Sequence, residues 1–266
     1  MTETKKNIEN TTKRKQYSAP ALEKGLDLLE LLSQELNGLT IGEITKRLNR
    51  SVGELFRMLV VLEQRGYVEL PQNTDKYKLT LKMFGLSNRY PPVKKLTLLA
   101  KPEMQKLAYQ IEQSCHLAIY YGGKGQVIVQ QDSPSDRVFS VRLGAEAPLI
   151  NTCSGHILLA FSLPEMQKIM ISKIPAHHPK IVKGEFYEKL QKIALQGYEK
   201  ILSEQAHGVT DIGYPIFDHN GDVVAALVVP FLAYLDGSHP IELESAMEFI
   251  RQSALQISNL LGYQNI

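Results

Sequence analysis

Arg50 and Arg57 lie on either side of the short run Ser51-Val52-Gly53-Glu54. Arginine makes paired hydrogen bonds to guanine O6 and N7, or grips a phosphate. The stretch NRSVGELFRMLVVLEQRGYVEL, residues 49–70, therefore points to duplex DNA as a partner. Lys46 and Arg47 before it and Lys76 and Lys78 after it have the charge for positioning contacts to phosphates. Ser51 is a helix N-cap whose neighbouring backbone N–H groups suit a phosphate. Glu54 has two uses open to it: accepting from cytosine N4, or turning back as the capping carboxylate for Ser51. Gly53 lets the backbone approach a duplex closely, or is simply tolerated in a first turn. The plain alternative for Arg57 is a surface ion pair with Glu54 or Glu63.

A second set of residues suits a small molecule. Thr152-Cys153-Ser154-Gly155 precedes a helical run, and free N–H groups at a helix start make a site for an anion or carbonyl. Leu143, Leu149, Ile150, Ile212 and Val228 supply apolar walls, and together with the helix start they make a mainly hydrophobic pocket with a few polar handles. The plain alternative is that these are core residues. Cys115, His116, Cys153 and His156 form a zinc-like donor set. Cys115 and His116 are adjacent on an expected strand, so their side chains point to opposite faces; no metal site is predicted. Cys153 at a helix start beside His156, with His177, His178 and His207 as bases, is the nucleophile reading. No Gly-rich phosphate loop, nucleophile elbow or spaced carboxylate pair accompanies it, so no catalytic residue and no cofactor are expected.

The elements that must position these residues can be read from periodicity. Leu22, Leu26, Leu29 and Leu32 predict a helix within residues 18–35, started by Ser18 and tolerating Pro20. Thr40-Ile41-Gly42-Glu43 and Ser51-Val52-Gly53-Glu54 each have the capping-box pattern. They predict helices over 40–48, with Ile41, Ile44 and Leu48 inward, and over 51–65, with Leu55, Leu59 and Leu62 inward. Gly66 stops the latter. Tyr67–Leu70 and Lys76–Leu79 predict a hairpin, so three helices and a β-wing make a winged helix-turn-helix. A short helix follows from Thr80, and residues 93–113 predict a connector helix disturbed at Pro102. Beyond it, strands are expected at CHLAIYY (115–121), QVIVQQD (126–132), RVFSVRL (137–143), DIGYPIF (211–217) and DVVAALVV (222–229), with helices at 153–161, 164–172, 186–196 and 241–261. That is an α+β domain with an antiparallel sheet.

The bulk numbers set the bounds. The 266 residues are 44% hydrophobic and 22% charged, an ordinary globular balance. No apolar run reaches the roughly 18 residues that span a bilayer, and the N-terminus has no apolar signal core. Two cysteines fit a reducing compartment. A cytoplasmic protein without membrane partners is expected. Net charge is +2, but residues 1–90 hold 15 Lys and Arg against 11 Asp and Glu, and the remainder 15 against 17. The tail carries Lys13-Arg14-Lys15, and residues 89–101 four basic side chains with no acid. The expected organisation is a basic tail (1–17), a DNA-binding domain (18–88), a linker and connector helix (89–113) and an effector and oligomerisation domain (114–266).

In order and spacing, these segments resemble the IclR family of bacterial transcription regulators over nearly the whole chain. SAPALEKGLDLLELL is similar to its first helix, and LTIGEITKRLNRSVGELFRMLVVLEQRGYVE to its helix-turn-helix and wing. GAEAPLINTCSGHILLA stands at its effector loop, and GYEKILSEQAHGVTDIGYPIFDHNGDVVAALVV resembles its C-terminal strands. The resemblance implies a winged-helix domain, a linker helix and a GAF/profilin-like effector domain in dimers or dimers of dimers. The chain departs from the pattern at Ser51-Val52-Gly53-Glu54, where a Pro-Lys-Ser-Thr-like run is usual, and at Ile150 and His156, where histidine and lysine are common. Polar contacts that some acid-binding relatives place at the positions of Ile201, Val228 and Pro230 do not carry over, while Asp211, in place of a frequent cysteine, is a polar candidate. The expectation is a repressor or activator on a palindromic operator, responsive to a small aromatic or organic-acid metabolite. The alternatives are a ligand-binding adaptor without DNA binding and a Cys153/His156-dependent enzyme.

Overall fold

Short-range capping chemistry fixes where the first helices begin. The computed structural model describes residues 18–87, 91–174, 184–234, 237 and 241–264, and the chain divides into two compact units, 1–90 and 91–266. The tail with Lys13-Arg14-Lys15, Arg89, His177 and His178 lie outside the described residues.

In the first unit, α1 (Pro20–Ser33) starts from Ala19, not Ser18; the Ser18 hydroxyl donates instead to Glu23 at 3.2 Å. Leu28 and Leu32 are buried, whereas Leu22 and Leu26 are 62% and 48% exposed. Of the expected leucine stripe only Leu32 is buried and Leu29 partly so, while Leu28, outside that stripe, is fully buried, so the helix is as expected but its inward face is turned. Helix α2 (Ile41–Leu48) opens on a reciprocal cap: Thr40 N–H donates to Glu43 at 2.8 Å, and Glu43 N–H to the Thr40 hydroxyl at 3.2 Å. It closes at Asn49 in the left-handed region, φ 51°. Helix α3 (Val52–Gln64) follows after the Arg50-Ser51 turn and ends before Gly66, whose φ of 72° suits only glycine. Strands β2 (Val68–Glu69) and β3 (Lys76–Leu79) form the wing, and β1 (Leu39–Thr40), unforeseen from sequence, pairs with the other edge of β3. Helix α4 (Lys82–Ser87) follows. Leu28, Leu32, Leu39, Ile44, Leu55, Leu59, Val68 and Tyr77 make the core. Burying each such leucine contributes about 1.5–3 kcal/mol, and this holds α3 in one rotation about its axis.

The second unit opens with α5 (Pro91–Ile111), which contains Pro102. Six antiparallel strands follow: β4 (Cys115–Tyr121), β5 (Lys124–Gln131), β6 (Glu146–Ala147), β7 (Glu199–Leu202), β8 (Val209–Phe217) and β9 (Val223–Leu232), in the order β6-β5-β4-β9-β8-β7. Period-two alternation gives the sheet two apolar faces. Leu117, Val129, Ile212, Tyr214, Ile216, Leu227 and Val229 pack with α5 and α9 (Leu243–Leu260). Ala226 and Val228 pack against α6 (Cys153–Ala160), α7 (Pro164–Ser172) and α8 (Glu185–Gln196).

Two sequence expectations fail here. Residues 137–143 are not a strand. Leu143 N–H donates to the Gln130 side chain at 3.1 Å, and Gln130 also donates to Ser140 at 3.2 Å, so side-chain bonds take the place of a ladder. Strand β7 was unforeseen; it is four residues long and takes its register from β8, with Ile201 opposite Asp211. Among the described residues no helix is long and apolar enough to cross a membrane.

Candidate nucleic-acid interface and effector cleft

Helix α3 keeps Leu55 and Leu59 fully buried, and this turns the rest of its surface outward. Arg57 is exposed and has no hydrogen-bond or ion-pair partner among the described residues. Neither expected ion pair forms. Glu54 bonds instead to Lys24 Nζ at 2.8 Å, and it accepts from Ser51 N–H at 3.1 Å and from Ser51 Oγ at 2.9 Å. Lys24 first, then Ser51, holds the Glu54 carboxyl down to about 2. With both oxygens engaged, Glu54 is a cap and an inter-helix tie. Of the two uses open to Glu54, the capping one is formed, and Ser51 is likewise engaged in the cap.

The other cations divide into two groups. Arg50 pairs with Asp27 at 3.2 Å and Arg47 with Glu35, so both guanidiniums are partly committed to acids within the unit. Lys46 is exposed, Lys76 and Lys78 are half-exposed on β3, and none of the three has an ion pair among the described residues. A Cβ added at Gly53 would meet nothing within 4 Å. Sequence reasoning did not single out Val52 and Phe56, which are 50% and 49% exposed on this helix. They continue the same stripe as Leu55 and Leu59 at i, i+3, i+4 and i+7, so periodicity gave no signal that this end of the helix stands in solvent.

In the second unit a cleft of about 50 Å³ is lined by Thr152, Cys153 and Ser154 at the start of α6 and by His116, Asp211 and Val228 on the sheet. Phe139, Val141, Glu146, Ala147, Ser203 and Gln205 complete it. Of the predicted effector residues, Thr152, Cys153, Ser154, Asp211 and Val228 come together there, and Leu149, Ile150, Gly155 and Ile212 do not. Ile212 points to the opposite face of the sheet, into the core with α5 and α9. Leu149 and Ile150 are buried with α6 and α8. A Cβ on Gly155 would lie 2.5 Å from Leu149 Cα, so this glycine serves a close backbone approach; its N–H donates to Thr152 Oγ1 at 3.0 Å. The loop residue Leu143 is 64% exposed and forms no wall.

Electrostatics at the cleft favour neutral polar groups. His116 Nε2 lies 3.1 Å from Ser154 Oγ, and burial pushes the imidazole down to about 4, so it is uncharged at neutral pH. Its Nδ1 is buried with no hydrogen-bond partner. Burial raises the Asp211 carboxyl, Ser203 opposes that shift, and the Glu199 charge adds to it. The Cys153 thiol is held well above its usual value by burial first, then by Glu199 and Asp211. This is the reverse of an activated thiolate and gives the alternative nucleophile reading no support. Cys115 sends its Sγ toward Met104 O at 3.5 Å while His116 meets Ser154, so the two face opposite ways as their adjacency requires.

Sequence reasoning missed the most buried polar cluster. His156 is fully buried; its Nδ1 meets the Glu199 carboxylate at 2.8 and 2.9 Å, and its Nε2 meets Ile150 O at 2.5 Å. Lys189 reaches Glu199 at 3.0 Å. Exposed His207 has no place in this cluster. No local pattern links residues 156, 189 and 199; only the unforeseen β7 brings Glu199 to α6.

Comparison with known proteins agrees with this architecture. Residues 92–259 match the family described as bacterial transcriptional regulator IclR C-terminal, and residues 21–71 match the IclR helix-turn-helix domain. The HTH-type transcriptional regulator KdgR of Escherichia coli K12 is 27% identical over 252 residues, 93% of this chain and 95% of that protein. The Thermotoga maritima IclR structure superimposes with a TM-score of 0.70 at 24% identity, covering 91% of this chain and 98% of that one. An IclR homologue from Microbacterium hydrocarbonoxydans, solved with 4-hydroxybenzoate, gives a TM-score of 0.74 at 22% identity, with coverage of 91% and 98%. All share the fold, an N-terminal helix-turn-helix followed by an α/β domain with a curled antiparallel sheet.

Proposed function

Since the chain belongs to the IclR family of bacterial transcriptional regulators, we propose that it is a ligand-responsive, sequence-specific DNA-binding protein that controls a catabolic operon. The observation that carries this reading is the exposed, unpartnered guanidinium of Arg57 on a helix whose other side is locked by Leu55 and Leu59. On this reading α3 enters the major groove. Arg57 bonds to guanine or phosphate, and Lys46, Lys76 and Lys78 hold the backbone, with Arg47 and Arg50 adding charge from their ion pairs. The protein works in the cytoplasm as a homodimer or dimer of dimers on a palindromic operator, with half-sites about one helical turn apart.

The effector is a small aromatic or organic acid bound in the cleft between α6 and the sheet. Supporting this are the uncharged His116 and Ser154, and Asp211 with its carboxyl raised by burial, beside Val141, Phe139 and Val228. At about 10–15 Å³ of such space for one water, the roughly 50 Å³ cleft holds a few waters, so an aromatic ring needs it to widen. The loop carrying Phe139 and Val141 is tied to β5 by the Gln130 side chain and not by a strand ladder, and on this reading it gives way to the effector. An effector that binds only the widened form shifts the balance between DNA-competent and incompetent populations by its differential affinity.

The test is fluorescence anisotropy of the full chain on random and genomic duplexes across a salt series. Binding that weakens steeply with salt, with sequence preference lost in Arg57→Ala, supports the reading. Unchanged affinity and preference in Arg57→Ala removes the readout role. A thermal-shift screen with 4-hydroxybenzoate and small acids tests the effector, since a ligand selective for the folded state raises its stability.

A further inference from the structure

Helix α3 carries an apolar surface that its own unit does not use. Val52 and Phe56 stand one turn apart at 50% and 49% exposure, on a helix that already buries Leu55 and Leu59. Among the described residues the Phe56 ring makes no aromatic or cation–π contact. Gly53, with open space where a Cβ would stand, and the unpartnered Arg57 follow them in sequence at one-residue offsets. The polar groups best placed by sequence to read bases are committed elsewhere: Glu54 to Lys24 and Ser51, Arg50 to Asp27, and Arg47 to Glu35. What remains exposed over the first turns of this helix, Val52 to Arg57, is an aliphatic side chain, a gap, a phenyl ring and one free guanidinium, with Val61 exposed a turn further on.

The geometry points to Phe56, with Val52, as a sequence-reading element that packs against thymine C5-methyl groups in the major groove beside the base held by Arg57. This inference rests on the DNA-binding reading above. Thymine is the base that presents an apolar group in the major groove, and a phenyl or aliphatic side chain is its fitting partner. A polyanionic duplex suits this face better than a protein partner. The helix carries two acids, Glu54, whose charge is compensated by Lys24, and Glu63 two turns beyond Phe56, while Arg57 on the helix and Lys46 on α2 supply positive charge toward its start. The operator half-sites are therefore thymine-bearing next to the guanine, and the preference comes from methyl burial in place of polar pairing.

Deoxyuridine tests this directly, because it keeps every hydrogen-bonding group of thymidine and lacks only the methyl. Duplexes are selected from a randomised library with the full chain. Each thymine of the selected half-site is then replaced singly by deoxyuridine, and affinities are measured by anisotropy at one salt concentration. At a contacted position the wild type loses about fourfold, the factor expected for one methyl no longer withdrawn from water. Phe56→Ala binds the thymine and uracil duplexes equally there while keeping its salt dependence, and Phe56→Leu retains part of the discrimination. Circular dichroism shows that both variants are folded. If the wild type binds but ignores every thymine-to-uracil exchange, or if Phe56→Ala keeps the full discrimination, the inference fails and the DNA-binding reading stands. If no duplex is bound at low salt, both fall together.

Discussion

His156 and Glu199, 43 residues apart in the chain, share a hydrogen-bonded contact of 2.8 Å inside the second unit, and both are almost wholly buried. Ile150 O can only accept, so Nε2 of His156 carries a hydrogen. Its Nδ1 meets the Glu199 carboxylate, with Lys189 reaching the same carboxylate from the surface. The pair ties the loop before α6 to strand β7, and so fixes one wall of the cleft. His156→Ala is expected to destabilise the protein by about 3–5 kcal/mol, since it leaves Glu199 buried and half-compensated. Glu199→Gln keeps a donor toward Nδ1 and should lose less. Urea denaturation of both single variants and the double variant gives the coupling; additive losses would show that the contact contributes nothing.

Stability should also depend on pH through His116. Its imidazole is pushed from an ordinary value of 6.5 down to about 4 by burial, so the folded state resists protonation that the unfolded chain accepts. The contribution is fully present above pH 6.5 and is lost as pH falls from there toward 4, where folding must exclude a proton from this site. The span corresponds to a loss on the order of 3 kcal/mol. His116→Gln, which cannot titrate, should flatten this part of the stability–pH curve while the acid losses from carboxylates remain. Denaturation midpoints of the two proteins between pH 4 and 7 decide it, and parallel curves count against it.

The contrast between the two units shows what sequence can carry. Capping boxes, a left-handed Asn49 and Gly66 are local signals, and α2, α3 and the wing were legible from them. The buried face was not: the leucines of α1 fit two stripes, and the core takes the one with Leu28 and Leu32, which leaves Leu22 and Leu26 in solvent. Alternation likewise suggested a strand at 137–143, where Gln130 captures the chain instead. Ile212 was assigned to the cleft beside Asp211, but adjacent strand residues face opposite ways, and the one in the cleft is Asp211. Glu199 was invisible because its partner His156 lies across an unforeseen strand pairing.

Asp211 should make effector binding depend on pH. Burial raises its carboxyl above the usual carboxylate value, with Glu199 adding to the shift after the opposing bond from Ser203. Protonated, it donates to an effector carboxylate; ionised, it repels one. Affinity for an acid such as 4-hydroxybenzoate is thus expected to rise as pH falls through the raised value of Asp211. Asp211→Asn keeps a neutral donor at every pH, and should bind more tightly at pH 7 with little pH dependence. Isothermal titration at several pH values measures both, and a variant whose affinity follows the wild-type curve would remove Asp211 from the site.

Gly53 and Gly155 should respond to alanine with opposite signs. A methyl at Gly53 meets nothing within 4 Å, and the residue sits in the first turn of α3. Gly53→Ala lowers the entropy of the unfolded chain and is expected to stabilise by about 0.5–1 kcal/mol. At Gly155 the same methyl lands 2.5 Å from Leu149 Cα and 2.6 Å from Pro148 O, both backbone atoms that cannot swing aside. Overpacking of this kind costs about 1–3 kcal/mol, and here it displaces the loop that starts α6. Gly155→Ala is therefore expected to lose stability and effector affinity together. Gly53→Ala is expected to gain stability yet lose operator affinity, because its methyl projects where the duplex backbone or base edge must come close. Thermal denaturation paired with operator titration separates the two effects. A Gly53→Ala protein that is more stable and binds its operator as tightly as the wild type would show that glycine is merely tolerated there and that α3 does not approach the duplex through this turn.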